Sequence, residues 1–390
     1  LSATDDPARG IGAARKWGAE IFGEISKSCN NCLTVEEVGR EFSGPRAPDG
    51  VRITNVMAIQ PGRMGWDHVI MIAGHIDSRA SDPLDFTSDA PGANDDGSGT
   101  ALVIEAAKVL SHHKFDATIV YALLSGEEQG LWGGELLAET AKERGWHVSA
   151  MLNNDIVGNS IGTDGRKVDD RVRVFSEGIR ASEDEARQNW RRASGAEDDG
   201  PSRALMRAIS RAGNRNPQIG LEVFGVRRPD RFGRGGDHLP SLEFGFPAVR
   251  FTVGVENYHQ QHQDIRTEGG IEYGDTPDKM DFNYLAKVTA VNVATIRELA
   301  SAPPAPASAL LSGAVSSDSH VEWTPVAGAS RYKIYWRRAD RQDWEGSMET
   351  ADSRISFPGM IVDDHFFGVA ALSAQGHESI VTFATLAPPK

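Results

Sequence analysis

Short apolar, β-branched runs alternate with longer stretches of helical period along most of the chain. "VRITNVMAI" (51–59) and "HVIMIAGH" (68–75) read as strands, "GTALVIEAAKVLSHH" (99–113) as a helix and "ATIVYALLS" (117–125) as a strand again. The alternation continues through a helix at 133–145, a strand at 148–159, a helix at 203–213, a strand at 247–254 and a long closing helix at 281–300. Such an order predicts an α/β fold, an open, mixed but mostly parallel sheet with helices on both faces. Ahead of it, Ala13, Ala14, Trp17, Ile21 and Phe22 recur at helical spacing, and a connection containing Gly and Pro follows. Residues 164–200 are crowded with charge and read as a surface excursion holding one strand and one helix. The Pro/Ala-rich run "SAPPAPAS" starting at Ser301 reads as a semi-stiff linker. Beyond it "SHVEWTPVAGASRYKIYWRR" and "HFFGVAALSAQGHES" alternate apolar and polar residues with no helical period, as in an all-β sandwich. The expected organisation is therefore a large domain over 1–300, a linker over 301–307 and a β-module over 308–390.

Composition narrows the class. With 39% hydrophobic and 25% charged residues, the 390-residue chain can bury a real core. Fifty-five acidic against 41 basic residues give a formal charge of −14, which argues against nucleic acid or an anionic membrane as the main partner. No apolar run is long enough to span a bilayer. The chain starts at Leu1 without Met, consistent with a mature form after removal of a signal peptide, and hence with a secreted or periplasmic protein. The two cysteines, Cys29 and Cys32 in "SCNNC", lie in a polar stretch rather than at a strand-to-helix junction, so a structural disulfide is expected in preference to a redox pair or half a zinc site.

Chemistry concentrates where strands end. His75 closes an apolar strand, and Asp77 lies two residues on, on the same side of an extended chain, where it can orient the imidazole. Glu127 and Glu128 follow the strand ending at Ser125; beside a divalent metal, two adjacent glutamates can divide labour, one binding the ion and one taking a proton from water. Asp155 flanks the end of a third strand, and His259 and His262 follow a fourth. "GANDDGSG" (92–99) sets Asp95 and Asp96 side by side before a helix. One His, one Asp, one Glu, another Asp and another His form an oxygen-rich set with two imidazoles, suited to zinc. Five ligands exceed what one tetrahedral zinc takes, and two ions sharing a bridging carboxylate would use them all.

The ordered set "GHIDS", "PGANDDGSGT", "SGEEQG", "NNDIVGN" and "YH", over roughly residues 50–300, resembles the M28 family of co-catalytic dizinc exopeptidases. The resemblance implies that His75, Asp155, Glu128 and a distal histidine ligate two zinc ions, that Asp95 bridges them, that Glu127 is the general base and that Asp77 backs His75. It also implies a cis peptide between Asp95 and Asp96. Tyr258 before His259 matches the family's Tyr/Phe-His order and favours His259 over His262. The family's Asp-Thr sequel then falls late, at Asp275-Thr276, as if about ten residues were inserted. Asp237 and His238 fall in a stretch that resembles the family's "SDH" segment and are expected at a helix start lining the pocket. The last fifth of the chain resembles a fibronectin type III module, with Trp323 and Tyr335 as core positions; it is expected either to bind a surface or partner or to pack on the larger domain.

The implied activity is hydrolysis of peptide substrates at a chain terminus, with an aminopeptidase favoured. A carboxypeptidase would need a basic cluster facing the metals, for which Arg227, Arg228, Arg231, Arg234 and Arg250 are available. A glutaminyl-cyclase-like transferase, with one zinc, and a non-enzymatic scaffold are the remaining alternatives.

Overall fold

The computed structural model describes residues 8–386; Leu1, on which the expectation of a processed start rests, lies outside them. Eight strands, β1 (Thr34–Gly44), β2 (Ala47–Gln60), β3 (Val69–His75), β4 (Thr118–Leu124), β5 (Val148–Asn154), β6 (Arg171–Phe175), β7 (Glu222–Val226) and β8 (Ala248–Val253), form one sheet. Its order is β1-β2-β4-β3-β5-β8-β6-β7. The four central strands β4, β3, β5 and β8 run parallel, and antiparallel pairs flank them at β2/β4 and β8/β6. The helices are α1 (Gly10–Ser28), α2 (Gly97–Leu110), α3 (Glu127–Gly130), α4 (Trp132–Glu143), α5 (Glu185–Ala193), α6 (Pro201–Arg215), α7 (His238–Glu243) and α8 (Phe282–Ser301).

Alternate residues of the buried strands supply two cores, because successive side chains point to opposite faces. Ile70, Ile72 and Tyr121 pack with Phe22 of α1, Val103 of α2, Leu205 of α6 and Val291 of α8. Met71, Val120 and Met151 pack on the other face with Leu137 of α4 and Leu242 of α7. The expected α/β fold with a mixed, mostly parallel sheet covered on both sides is what forms.

Differences from the sequence reading fall where burial is incomplete. The sequence predicts a connection where β1 forms: TVEEVGREFSG is partly or fully exposed along its whole length, so no apolar run marks it. Its ladder with β2 runs from Thr34↔Ile59 to Gly44↔Ala47. Trp17, expected on the apolar face of α1, is exposed. The charged excursion contains the expected strand and helix, but the strand is β6, whose Val172 and Val174 are buried within the main sheet; only α5 lies wholly at the surface. Cys29 and Cys32 form a disulfide at the end of α1.

After α8 the chain forms antiparallel sheets of three strands (Ala309–Ser312, Ser319–Trp323, Arg354–Phe357) and four (Gly346–Thr350, Arg331–Arg338, His365–Leu372, Thr382–Phe383). Trp323 lies between them against Tyr332, ring centroids 5.3 Å apart, with Phe357 and Phe367. Tyr335 is buried too, but on the other face of its strand: its hydroxyl donates to Glu378 at 2.6 Å, and Glu378 also pairs with Arg211 of α6 at 3.1 Å. Asp199, 5% exposed, is held between Arg207 of α6 and Arg337 of the second sheet. His377 lies 3.1 Å from Glu298 of α8. The β-module thus packs on α6 and α8 through paired charges, of which Asp199, Arg337 and Glu378 are buried, so that losing a partner of any of these three strands a charge without solvent.

His68, 2% exposed at the entry to β3, is a clean titration probe remote from the strand tips. Burial pushes its pKa down from 6.5 to about 4, with Asp116 opposing weakly, and its Nδ1 has no hydrogen-bond partner. Because the folded pKa is depressed, the unfolded chain binds the proton first as pH falls. The stabilising preference for neutral His68 is complete above pH 6.5 and is lost between there and about pH 4, by up to about 3 kcal/mol. Denaturant unfolding of wild type and His68→Asn at pH 7.5, 5.5 and 4.5 should show a shallower pH dependence in the variant; identical slopes would refute the assignment.

Candidate metal centre

The parallel order β4-β3-β5-β8 brings four carboxyl-terminal strand ends side by side, the position where open α/β sheets gather ligands. His75 is the last residue of β3, Glu127 and Glu128 open α3 just after β4, Asp155 follows β5, and the loop after β8 leads to His259 and His262. Asp95 reaches the same point from the loop that enters α2.

Two groups of three form there. His75, Asp95 and Asp155 offer ligand atoms within 4.8 Å of one another, and so do Asp95, Glu128 and His262. Asp95 belongs to both. Its Oδ1 lies 3.3 Å from His75 Nε2 and its Oδ2 lies 3.0 Å from His262 Nε2. Burial alone would raise the Asp95 pKa; the His262 and His75 imidazoles outweigh it and hold the carboxyl well below the usual range. Glu128 Oε1 is 3.1 Å from His262 Nε2. The set fits a pair of divalent cations on its own atoms: His75 Nε2 and Glu128 Oε1 are buried and make no hydrogen bond, a costly state that a cation would relieve. Two imidazoles and three carboxylates are a zinc-type donor set.

The distal histidine differs from expectation. His262 joins the cluster, whereas His259 packs edge-on against Tyr273, centroids 5.2 Å apart, outside both groups. The extra residues before Asp275-Thr276 form a two-stranded hairpin, Arg266–Glu268 with Ile271–Tyr273, and Asp275 returns to the site. Its Oδ2 accepts from the backbone N–H groups of Asn94 and Asp95, at 2.9 and 2.7 Å.

Supporting contacts explain the motif residues. The Asp95–Asp96 peptide is cis. Asp96 Oδ1 accepts from Gly99 N at 2.9 Å, capping α2, and from Ile156 N at 3.2 Å; its Oδ2 accepts from His75 N at 3.0 Å. One carboxylate thereby ties together β3, the residue after Asp155 and the start of α2. A Cβ on Gly99 would sit 2.0 Å from the Asn154 carbonyl oxygen, so this helix start approaches β5 only as glycine. Asp77 also acts differently from expectation. The acceptor facing His75 Nδ1 is the Asp77 backbone carbonyl at 2.9 Å, while the carboxylate stands 3.7 Å away. That carboxylate instead accepts from Gly126 N at 2.8 Å and Glu128 N at 3.2 Å and so fixes the Glu-Glu turn. The carbonyl sets the proton of His75 on Nδ1 and leaves Nε2 bare for a ligand role.

Glu127 is partly exposed at the rim. Desolvation raises its pKa well above the ordinary carboxylate value; His75 opposes this, and Asp155, Glu128 and Asp237 reinforce it. Asp237 and His238 are fully buried and belong to neither group. α7 starts at His238 as expected, but the Asp237 side chain accepts from Gly134 N at 2.9 Å rather than from its own helix.

Two arginines join the site without a motif to announce them in this role. Arg250, fully buried, lies 2.6 Å from Asp155 Oδ1 and 3.3 Å from Asp230. Asp155 Oδ2 is left facing His75 Nε2 at 3.9 Å. Arg79, directly after "GHIDS", donates through Nε to Glu128 Oε2 at 3.0 Å, and a terminal nitrogen lies 2.7 Å from His262 Nδ1. Asp95 and Glu128 draw the His262 pKa up to about 9, against the effect of burial.

Comparison with known proteins identifies the family. Residues 55–272 match the model of peptidase family M28. A probable zinc metalloprotease of Pyrenophora tritici-repentis is 38% identical over 97% of this chain and 80% of its own. One from Leptosphaeria maculans is 37% identical over 97% of this chain and 89% of its own. Among solved structures, the Legionella pneumophila LapA aminopeptidase shares the fold with a TM-score of 0.53 at 20% identity, over 77% of this chain and 66% of that one. With the family model covering more than half its length and such relatives along nearly all of it, the chain belongs to peptidase family M28.

Proposed function

We propose that the protein is a zinc-dependent exopeptidase, an aminopeptidase, acting with two ions. Asp95 carries the two-cation assignment, because its two oxygens face different three-residue groups. His75 and Asp155 would hold one ion, Glu128 and His262 the other, with Asp95 between them. Bound zinc supplies Lewis acidity, which makes water acidic near neutral pH and polarises a carbonyl. Glu127, whose pKa desolvation raises above the ordinary carboxylate value, accepts the proton of the attacking water and returns it to the leaving amine. The Asp77 carboxylate positions Glu127 and Glu128 through their backbone, and Arg250 holds Asp155.

The aminopeptidase reading gains from the arginines. Arg227 pairs with Asp198, Arg231 and Arg234 with Glu256, and Arg250 with Asp155 and Asp230, so these four side chains are engaged in ion pairs rather than presented for a substrate carboxylate. Two complete groups weigh against a one-zinc transferase. Division at the Pro/Ala linker and export, consistent with the Cys29–Cys32 disulfide, belong to the same proposal. A panel of free-amine and N-blocked peptides, with and without a chelator, tests it. Cleavage of the free-amine peptides alone, lost with chelator and restored by zinc, is expected; cleavage of N-blocked peptides alone would overturn the aminopeptidase assignment.

A further inference from the structure

A groove of about 600 Å³ lies beside the candidate metal centre. Ile11 of α1 and Ile76 form its floor; the loop 78–91, with Phe86, and Ile265 form its walls. Arg79, Ala90 and Pro91 line it and also line the pocket around Asp95, Glu128 and His262, so the groove adjoins the catalytic pocket directly.

The two walls are tied to each other. Ser81 N donates to Asp264 Oδ1 and Asp264 N donates to Ser81 Oγ, each at 3.0 Å, which joins the loop to the segment after His262. Within the loop, Asp82 Oδ1 accepts from Leu84 N at 2.9 Å, and Asp85 Oδ1 accepts from Thr87 N at 2.9 Å and Ser88 N at 3.0 Å. These side-chain turns bracket Phe86, which is 65% exposed. Ile265 is 52% exposed and immediately precedes the two-stranded hairpin that lengthens this chain before Asp275. Apolar side chains scattered singly over a surface mean little, but gathered on facing walls of one groove they mark a binding site. The charges beside them are engaged: Arg9 pairs with Asp89, Arg79 with Glu128, and Asp85 with its own turn. What the groove offers a ligand is therefore apolar contact.

Volume decides which part of a peptide fits. A space of this size takes a drug-sized ligand, on the order of three or four amino-acid residues, well beyond one side chain. An enzyme that releases the first residue of a chain has a single residue on one side of the scissile bond and all the others on the second side. Only the departing part is long enough to fill the groove.

We propose that this groove receives the leaving portion of the peptide and that Phe86 and Ile265 are specificity-determining residues which hold its apolar side chains. The substrate class is then a free-amine oligopeptide with apolar residues beyond the scissile bond, in preference to a dipeptide. The inference rests on the aminopeptidase reading, and its test separates the two.

The zinc-supplemented full chain is assayed on a free-amine dipeptide and on two pentapeptides that begin with the same two residues, one continued by three apolar residues and the other by three serines. In wild type, kcat/KM for the apolar pentapeptide should exceed both others by about tenfold or more, the scale on which one or two apolar side chains leaving water discriminate between substrates. That advantage should shrink in Phe86→Ser and in Ile265→Ser, vanish in the double variant and largely persist in Phe86→Leu, with near-UV circular dichroism checking the fold. No turnover of any of the three peptides by wild type overturns the aminopeptidase reading and this proposal together. Turnover in which the apolar pentapeptide has no advantage, or an advantage that survives the double variant, overturns this proposal alone. Independently, isothermal titration calorimetry should show the departing apolar tetrapeptide binding wild type about tenfold more tightly than the double variant; equal affinity would contradict the assignment.

Discussion

Replacing Glu127 by alanine is expected to lower kcat by about 10²- to 10⁴-fold, the usual contribution of a positioned acid–base group, while bound zinc stays at the wild-type level. The separation follows from geometry. Glu127 belongs to neither three-residue group, whereas its neighbour Glu128 belongs to one. Both are placed by the same anchor, the Asp77 carboxylate that accepts from the backbone of the turn. The alanine variant keeps that backbone and loses only the proton acceptor. Glu127→Gln should behave alike, since the amide has nearly the same shape and no basicity. Zinc content by atomic absorption and single-turnover rates on a cleavable peptide check the pair. Near-wild-type rates in either variant, or loss of zinc in both, would remove Glu127 from its role.

The second large effect concerns the distal histidines. His262→Ala should lose one of two zinc equivalents and, with it, most activity; His259→Ala should keep both. His262 Nε2 stands 3.0 and 3.1 Å from the carboxylates of Asp95 and Glu128, whereas His259 meets the ring of Tyr273. Metal stoichiometry after dialysis distinguishes the variants. Loss of zinc from His259→Ala with retention in His262→Ala would reverse the assignment.

His259 also shows where the sequence stopped being informative. Strand ends carrying His75, Glu127, Glu128 and Asp155 were legible because a buried parallel strand is a continuous apolar run, and the residue that breaks the run marks its tip. β8 has that property, but the site histidine lies nine residues past its end, in a loop with no period. His262 takes a positive φ of 55°, a conformation that neighbouring residue types do not announce. The Tyr-His order, drawn from resemblance, therefore favours His259, whereas the cluster holds the other of the two nearby imidazoles. The hairpin between His262 and Asp275 displaced the Asp-Thr sequel in sequence but not in space, since Asp275 still binds the backbone at Asn94 and Asp95.

Other misses have the same physical root. β1 is an edge strand with little burial, so its side chains alternate weakly and it reads as a connection. Asp77 was paired with His75 by the two-residue repeat of an extended chain, but the strand ends at His75 and the backbone turns, so the carbonyl rather than the carboxylate meets the ring. Arg79 and Arg250 are long side chains whose targets lie 49 and 95 residues away in the chain; pairing at that range is set by tertiary structure alone. Tyr335 is buried as expected, yet on the face of its strand away from the sandwich core, where it packs with Ala370, Val381 and Trp344 and bonds to Glu378.

Whether two zinc ions share Asp95 is decided by anomalous diffraction at the zinc edge on crystals of the zinc-loaded wild-type protein. Two peaks about 3.5–4 Å apart, one against His75 and Asp155, the other against Glu128 and His262, with Asp95 touching both, are predicted. A single peak, or a pair in which Asp95 contacts only one ion, would contradict it.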